Sequence, residues 1–378
     1  MVNQQLEGIK VNQEVFSNII KNRGINKTIQ DHYKRLSEEL QDQDEYLSEM
    51  VNKKYDRLHD CNKIWSLDWY KNQKIKDIIG TCLCRDKFCS NCKILKQTTR
   101  LARFVPEVDK YKDKLYQIVL TCPNLDAPTP GELRKYIKKQ FKAWFYITRY
   151  LRGTKKIKGI DFMDYGQYLG AIRTLEVTYN GDSYHPHIHI LAAIQDTAFG
   201  DRAIFNKYSI DHKGRRGDRL FTEFEVLLQN IFYLIMNDME VTKKALKKLK
   251  EGYSCICEPV KEGDYLDNFK YLVKSFDQRA SPINYDQFKT LYFALNNVRQ
   301  IQGYGCFFRI KDTDDFITEE IDHIYDDLIK LLKLIEVPEA IGQSVQDLGR
   351  DNDNLIISRK KFYSIYKSIL SEDTEKNN

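Results

Sequence analysis

The chain has 378 residues, of which 42% are hydrophobic and 30% charged, with a formal net charge of +6. These values are typical of a globular protein with a core, and the lack of any run of about 18 apolar residues excludes a membrane-spanning helix. The polar N-terminus lacks the apolar core of a signal peptide, so we expect a cytoplasmic protein. Its nine cysteines are then expected to be reduced.

Along the chain, residues 1–75 are polar and favour helices, and a cysteine-rich segment runs from residue 61 to 92. Further strands are predicted at 114–123, 168–179, 187–193 and 253–260, and further helices at 130–151, 222–251, 266–276, 284–297 and 312–378. This order predicts an α+β fold, with helices packed on a central antiparallel sheet, a zinc-binding segment and helical extensions at both ends. The predicted domains are a helical extension at 1–57, a cysteine-rich zinc-binding segment at 58–110, a central domain at 111–311 and a helical tail at 312–378.

The helix predicted at 130–151 has one strongly basic face. Residues 134–158 contain ten Lys or Arg and no Asp or Glu. The apolar stripe, which includes Trp144 and Phe145, is predicted to pack, while the opposite face can meet phosphates. That basic face consists of Lys135, Lys138, Lys142, Arg149 and Arg152. A solvated helix face is the alternative, so nucleic-acid binding is favoured only together with other signals.

The segment HPHIHIL at residues 185–191 places three of the seven histidines at alternate positions. Alternate side chains of a strand project to one face, and the intervening isoleucines then point into a core. Imidazole is the commonest side-chain metal ligand, so His187 and His189 are predicted to bind one ion. Hydrogen-bonded surface histidines are the alternative interpretation.

The sequence NGDS at residues 180–183 favours a tight turn, which would pair the two strands beside it as a hairpin. Glu176 would then lie opposite His187 or His189, on the same face and within about 5.5 Å at Cβ. A carboxylate in the otherwise apolar and β-branched segment around it needs a partner. Two histidines and a carboxylate suit Mg²⁺ or Mn²⁺ bound together with phosphate.

Four of the cysteines lie close together, as Cys82-x-Cys84-x4-Cys89-x2-Cys92. Cys89 and Cys92 have the spacing of a zinc knuckle, and a second pair is needed to close a tetrahedral site. Local spacing favours Cys82 and Cys84 as that pair. Buried free thiols are the alternative interpretation.

Six segments together carry a family resemblance: CRDKFCSNC (84–92), YQIVLTCPN (116–124), RTLEVTYN (173–180), HPHIHIL (185–191), NFKYLVKSF (268–276) and GYGCFFR (303–309). In this order they resemble the plasmid rolling-circle replication initiators of Gram-positive bacteria, which belong to the HUH (His-hydrophobic-His) endonuclease superfamily. The resemblance implies that residues 111–311 form an HUH endonuclease domain. Such a domain nicks one DNA strand at an origin and forms a 5′-phosphotyrosyl intermediate.

The resemblance implies that Tyr271 is the nucleophile. Lys274 follows Tyr271 by three residues and is expected on the same helix face. A nearby ammonium helps a phenol, whose pKa is about 10, to attack at neutral pH. Tyr265 is the alternative nucleophile. Asp267 stands where the family has a glutamate that activates water at termination, so this shorter acid either keeps that role with altered reach or loses it.

The family pattern also implies that Cys61 and Cys84, with Cys82 as the alternate, complete the structural zinc site of Cys89 and Cys92. The implied cofactors are this zinc and a divalent Mg²⁺ or Mn²⁺ at the nicking site. The implied partners are single- and double-stranded origin DNA, a host helicase and a polymerase, while a homodimer is left open.

Two other functions remain open from the sequence. One is a related HUH transposase or mobilisation relaxase, and the other is a non-catalytic, zinc-containing DNA-binding regulator. A pure binder does not need the HPHIHIL segment together with Tyr271, so these residues discriminate the regulator from an enzyme. The cysteine segment and the YLVK context favour replication over transposition by analogy alone.

Overall fold

The structure is a computed structural model that describes residues 13–61, 64–70, 73–81, 84–205, 207–208, 220–249, 251–261, 283–310 and 354–358. Two compact units divide the chain: one contains residues 1–99 and 314–378, and the other contains residues 100–313. Several predicted features lie outside the described residues, namely the helix at 266–276, Cys82, Tyr265, Asp267, Tyr271 and Lys274.

The first unit begins with two helices, α1 (Gln13–Leu40) and α2 (Glu45–Asp60). The Asp44 carboxylate caps α2 by accepting the backbone N–H of Leu47 at 2.9 Å. After the helices come strands β1 (Ile64–Tyr70) and β2 (Gln73–Thr81), which form an antiparallel sheet with the strand Asn354–Ser358. The helical interpretation therefore fails for residues 64–70, and the described part of the predicted helical tail is a strand.

The second unit is built on an antiparallel sheet in the order β11-β3-β6-β5-β12, with β4 beside β6. Its strands are β3 (Leu115–Thr121), β4 (Leu125–Asp126), β5 (Gln167–Asn180), β6 (Ser183–Gln195), β11 (Ser254–Pro259) and β12 (Ile301–Gly305). Two short pairs lie outside it, β7 (Ile204–Phe205) with β9 (Leu220–Phe221), and β8 (Lys207–Tyr208) with β10 (Glu251–Gly252). The predicted α+β fold with a central antiparallel sheet is confirmed.

The helices of the described chain that follow α2 are α3 (Ser90–Asp109), α4 (Pro130–Leu151), α5 (Glu223–Met236), α6 (Lys243–Lys248) and α7 (Tyr285–Ala294). The single helix predicted at 222–251 is thus two helices. The chain leaves the helical conformation at Asp238, whose φ is +56°, and Thr242 caps the new start by accepting the N–H of Ala245. The glycine-containing sequence at 302–310 predicts a turn that leads into a strand, but in the structure its first residues belong to β12 and the turn follows that strand.

The sheet of the second unit has two different faces. Arg173 and Glu176 are three residues apart in a regularly paired part of β5, so their side chains leave opposite faces. On the Arg173 face, the ring of Phe141 from α4 lies 3.5 Å from the guanidinium carbon. On the Glu176 face, Phe104 of α3 packs in a cluster with Ile172 and other buried apolar residues. Helix α4 therefore covers the face that points away from Glu176.

Candidate metal centres

The hairpin of β5 and β6 brings Glu176, His187 and His189 together. The register pairs Glu176 with His187, and Thr174 with His189. A two-residue turn sets this register, and Gly181 supplies the positive φ of +56° that such turns need. The Glu176 Oε2 atom lies 3.0 Å from Nε2 of His187 and 2.9 Å from Nε2 of His189.

These three side chains fit a metal ion by the chemistry of their donor atoms. Nδ1 of His187 donates to the carbonyl oxygen of His185 at 3.2 Å, and since a carbonyl only accepts, Nδ1 carries a proton. In the neutral ring Nε2 then presents a lone pair to a carboxylate oxygen. A lone pair on Nε2 and a carboxylate oxygen this close repel each other unless a cation lies between them. A histidine that binds a metal typically uses its other ring nitrogen for a backbone hydrogen bond of this kind.

The site is also largely shielded from water, with relative exposures of 9% for Glu176 and 7% for His189. Burial raises the pKa of Glu176, but the neighbouring His187 and His189 rings lower it by a larger amount. The pKa of Glu176 is therefore held well below its usual range. The group thus presents a carboxylate, not a carboxylic acid, at neutral pH.

Gln140 of α4 anchors the histidine strand from the other face of the sheet. Its side chain is fully buried, and Nε2 donates to the carbonyl oxygen of Pro186 at 2.8 Å and to Sγ of Cys122 at 3.0 Å. Pro186 lies between the first two histidines of the motif. Gln140 was not predicted as a site residue, although its polar side chain within an apolar helix stripe was a usable signal.

A second candidate centre lies in the first unit and consists of Cys61, Cys84, Cys89 and Cys92, all buried. The Sγ atom of Cys61 is 3.6 Å from those of Cys89 and Cys92, and Cys84 is 3.6 Å from Cys92. Four thiolates around zinc at about 2.3 Å would stand about 3.8 Å apart, whereas a disulfide needs about 2.0 Å. The spacing of the four sulfur atoms therefore fits a zinc ion and not a disulfide.

Hydrogen-bond donors surround the four sulfur atoms. The Asn26 side-chain amide donates to Sγ of Cys89 at 3.5 Å, and the backbone N–H of Asp86 donates to Sγ of Cys84 at 3.4 Å. The Asp86 carboxylate in turn accepts from the Tyr33 hydroxyl at 2.8 Å, while its burial raises its pKa. Donors of this kind stabilise the negative charge that thiolate ligands carry.

We expect about one zinc ion per chain, bound by these four thiolates. Cys89→Ser should release the ion and unfold the cysteine-containing segment, because structural zinc contributes about 10–16 kcal/mol to the folding of small zinc-binding peptides. Elemental analysis and thermal melting monitored by circular dichroism provide the measurement. Cys306→Ser, at an exposed cysteine, is the matched control and should keep both zinc and stability. A stable wild-type protein without zinc would contradict the assignment.

Helix α4 carries the predicted DNA-binding residues. It begins with a capping box, in which Thr129 and Glu132 exchange hydrogen bonds. Its predicted cations are exposed or half-buried at Lys135, Lys138, Lys142, Arg149 and Arg152. The prediction that Phe145 packs is wrong, because its side chain is 50% exposed. Trp144 and Thr148 are buried, so Phe145 lies at the edge of the apolar stripe.

The fold and the site together define an α+β protein with a His-Glu metal-type centre on an antiparallel sheet. Residues 75–332, more than half of the chain, match the replication protein family. The chain therefore belongs to the replication protein family. This membership confirms the resemblance to plasmid replication initiators that the six motifs carry.

Three relatives from Gram-positive bacteria are similar to the chain. The protein rep of Staphylococcus aureus is 27% identical over 156 residues, 40% of this chain and 62% of that protein. The protein rep of Lactiplantibacillus plantarum is 22% identical over 293 residues, 75% of this chain and 83% of that protein. The protein rep of Lentilactobacillus hilgardii is 24% identical over 165 residues, 42% of this chain and 48% of that protein. No solved structure matches the chain.

Among the residues that the structure describes, every helix is too short or too polar to cross a lipid bilayer.

Proposed function

We propose that this chain initiates rolling-circle replication by nicking one strand of origin DNA through a tyrosine. The observation that supports this most strongly is the shared contact of Glu176 Oε2 with His187 and His189, within 3.0 Å, in a member of a replication protein family. A regulator that only binds DNA does not need a buried carboxylate facing two imidazoles. Burying that charge costs free energy, and only a neighbouring cation or a bound proton offsets this cost.

In the proposed reaction, the phenol oxygen of Tyr271 attacks the phosphorus of the scissile phosphodiester. The new P–O bond links the tyrosine to the 5′ side of the nick, and the bond to the 3′ oxygen breaks. The phenol proton leaves to water, and the released 3′ oxygen takes up a proton to become the free 3′-OH. That hydroxyl then primes a polymerase. Because the phosphodiester is exchanged for a phosphotyrosyl ester, the strand can later be rejoined.

The other proposed roles belong to residues around this step. Glu176, His187 and His189 would hold a divalent ion such as Mg²⁺ or Mn²⁺. When bound, such an ion supplies positive charge that polarises a phosphate oxygen. Lys274 would lower the energy of the phenolate, and Asp267 would activate water when the strand is finally released.

The cysteine site has a structural role in this proposal, because a closed set of four thiolates leaves no open position for substrate. The proposed partners are the origin DNA, in single- and double-stranded form, a host helicase and a polymerase. A single strand must enter the nicking site, since duplex geometry hides the phosphate from a cleft.

The proposal is tested by incubating the full chain with single-stranded origin DNA and Mn²⁺. A covalent protein–DNA adduct should form and should be resistant to denaturation, and chelation of the metal should prevent it. Digestion and mass spectrometry would then identify the modified residue. Binding of the origin strand without any adduct, under conditions where Mn²⁺ is bound, would favour the non-catalytic regulator instead.

A further inference from the structure

An aromatic pair lies among cations on the outer face of α4. The rings of Phe145 and Tyr146 have centroids 5.9 Å apart, at an angle of 64°. Residues three and four apart are neighbours on a helix, so Lys142 and Arg149 flank both rings. The Nζ atoms of Lys142 and Lys155 lie 6.0 and 4.7 Å from the centroid of Tyr146. We call these five residues the aromatic–basic patch.

The end of α4 is folded so that it adds to this patch. The Thr154 hydroxyl and the backbone N–H of Lys155 both donate to the carbonyl oxygen of Arg149, at 3.1 and 3.0 Å. These bonds turn the chain back over the helix. The Lys155 ammonium also lies 5.1 Å from the centroid of Tyr150. The Lys155 ammonium thus covers the rings of Tyr146 and Tyr150, whereas the ring of Phe145 is 50% exposed and available to a planar ligand.

The patch lies on the opposite side of the sheet from the candidate nicking site. Phe141 of α4 contacts Arg173, whose side chain leaves the face opposite to Glu176. A helix is about 10 Å wide, so sheet and helix together separate the two surfaces. A strand seated at Glu176 therefore reaches the patch only by passing around an edge of the sheet.

We propose that the aromatic–basic patch is a second binding surface for single-stranded DNA, separate from the nicking site. The ring of Phe145 would stack on an unpaired base, and Lys142, Arg149 and Lys155, which surround Phe145 and Tyr146, would contact phosphates. Exposed rings favour a single strand over a duplex, because the bases of a duplex are already stacked on one another. The inference rests on the proposed function for its ligand, DNA.

The test measures the affinity of the full chain for fluorescent oligothymidine of about 30 nucleotides, without divalent metal, by anisotropy. Phe145→Ala should weaken binding at least about fivefold, since stacking on one base contributes about 1–3 kcal/mol. Phe145→Trp, which retains a stacking surface, should restore it. Phe308→Ala is the matched control, because that ring is 71% exposed elsewhere in the same unit.

Two lysine-to-alanine variants test the phosphate contacts. Lys142→Ala should reduce the salt dependence of binding by about one unit of logarithmic slope. Lys139→Ala removes the same charge from the same helix, but that lysine forms a salt bridge with Asp238 and should change the slope less. Equal slopes for the two variants would overturn the phosphate contacts of the patch.

Two further measurements separate this inference from the proposed function. Phe145→Ala should still cleave a short single-stranded oligonucleotide that spans only the nick site, and it should bind duplex DNA as the wild type does. An equal loss of duplex and single-strand affinity, or an oligothymidine affinity equal to that of Phe308→Ala, would overturn the patch as a stacking surface. Failure of the wild type to cleave the short oligonucleotide would instead contradict the nicking activity, while the anisotropy comparison still decides the patch.

Discussion

His189→Ala should abolish metal binding at the sheet site and, with it, nicking. His189 supplies one of the three donor atoms, and its Nε2 lies 2.9 Å from the shared carboxylate oxygen of Glu176. Loss of an outer-shell partner of a metal ligand typically costs 10–100-fold in affinity, so loss of a ligand itself should cost more than about 100-fold. Titration calorimetry with Mn²⁺ measures the affinity, and adduct formation measures the activity.

The neighbouring histidine provides the control for this change. His185 belongs to the same motif, and its ring stacks on that of His187 with centroids 4.9 Å apart, but it is not one of the three grouped ligands. His185→Ala should therefore keep Mn²⁺ affinity within about an order of magnitude of the wild type. A comparable loss in both variants would mean that the motif binds the ion differently. Retained zinc in both variants would show that the cysteine site is unaffected.

Local sequence chemistry was enough to predict the parts of the fold that position the site. The helix predicted at 130–151 has these bounds in the structure, and its start is fixed locally by Pro130 and by the capping box of Thr129 and Glu132. The hairpin was predictable because a turn at 180–183 and the alternation of side chains place Glu176 opposite His187 or His189, and the structure pairs it with His187. In both cases residues close in sequence determine the geometry.

Contacts between distant residues could not be read in the same way. The pairing of β1 with Asn354–Ser358 joins segments almost 300 residues apart, and no local pattern indicates it. Phe145 has helical spacing that fits the apolar stripe, yet it lies beyond the edge of what α4 buries. Gln140 looks like a misplaced polar residue until Pro186 supplies its partner. Each of these three features is determined by contacts with an element that is distant in the sequence.

The nucleophile illustrates a different limit. The chain contains 24 tyrosines, and physical chemistry alone does not distinguish one phenol among them. Tyr271 was selected by the family resemblance of the segment NFKYLVKSF, and it lies outside the described residues. The assignment of Tyr271 as the nucleophile therefore rests on that resemblance and is tested by mutation.

Tyr271→Phe should prevent formation of the covalent adduct while leaving DNA and Mn²⁺ binding intact. The change removes only the phenol oxygen, which forms the new bond to phosphorus, and keeps the aromatic ring. Removing a catalytic nucleophile can cost about a millionfold, so the nicking rate should fall at least about 1000-fold. Tyr265→Phe is the matched control, because it removes the same atom from the alternative tyrosine six residues earlier. It should still yield the adduct, with the modified peptide containing residue 271. An adduct that persists in Tyr271→Phe and disappears in Tyr265→Phe would transfer the role to Tyr265, and loss in neither variant would require a nucleophile elsewhere in the chain.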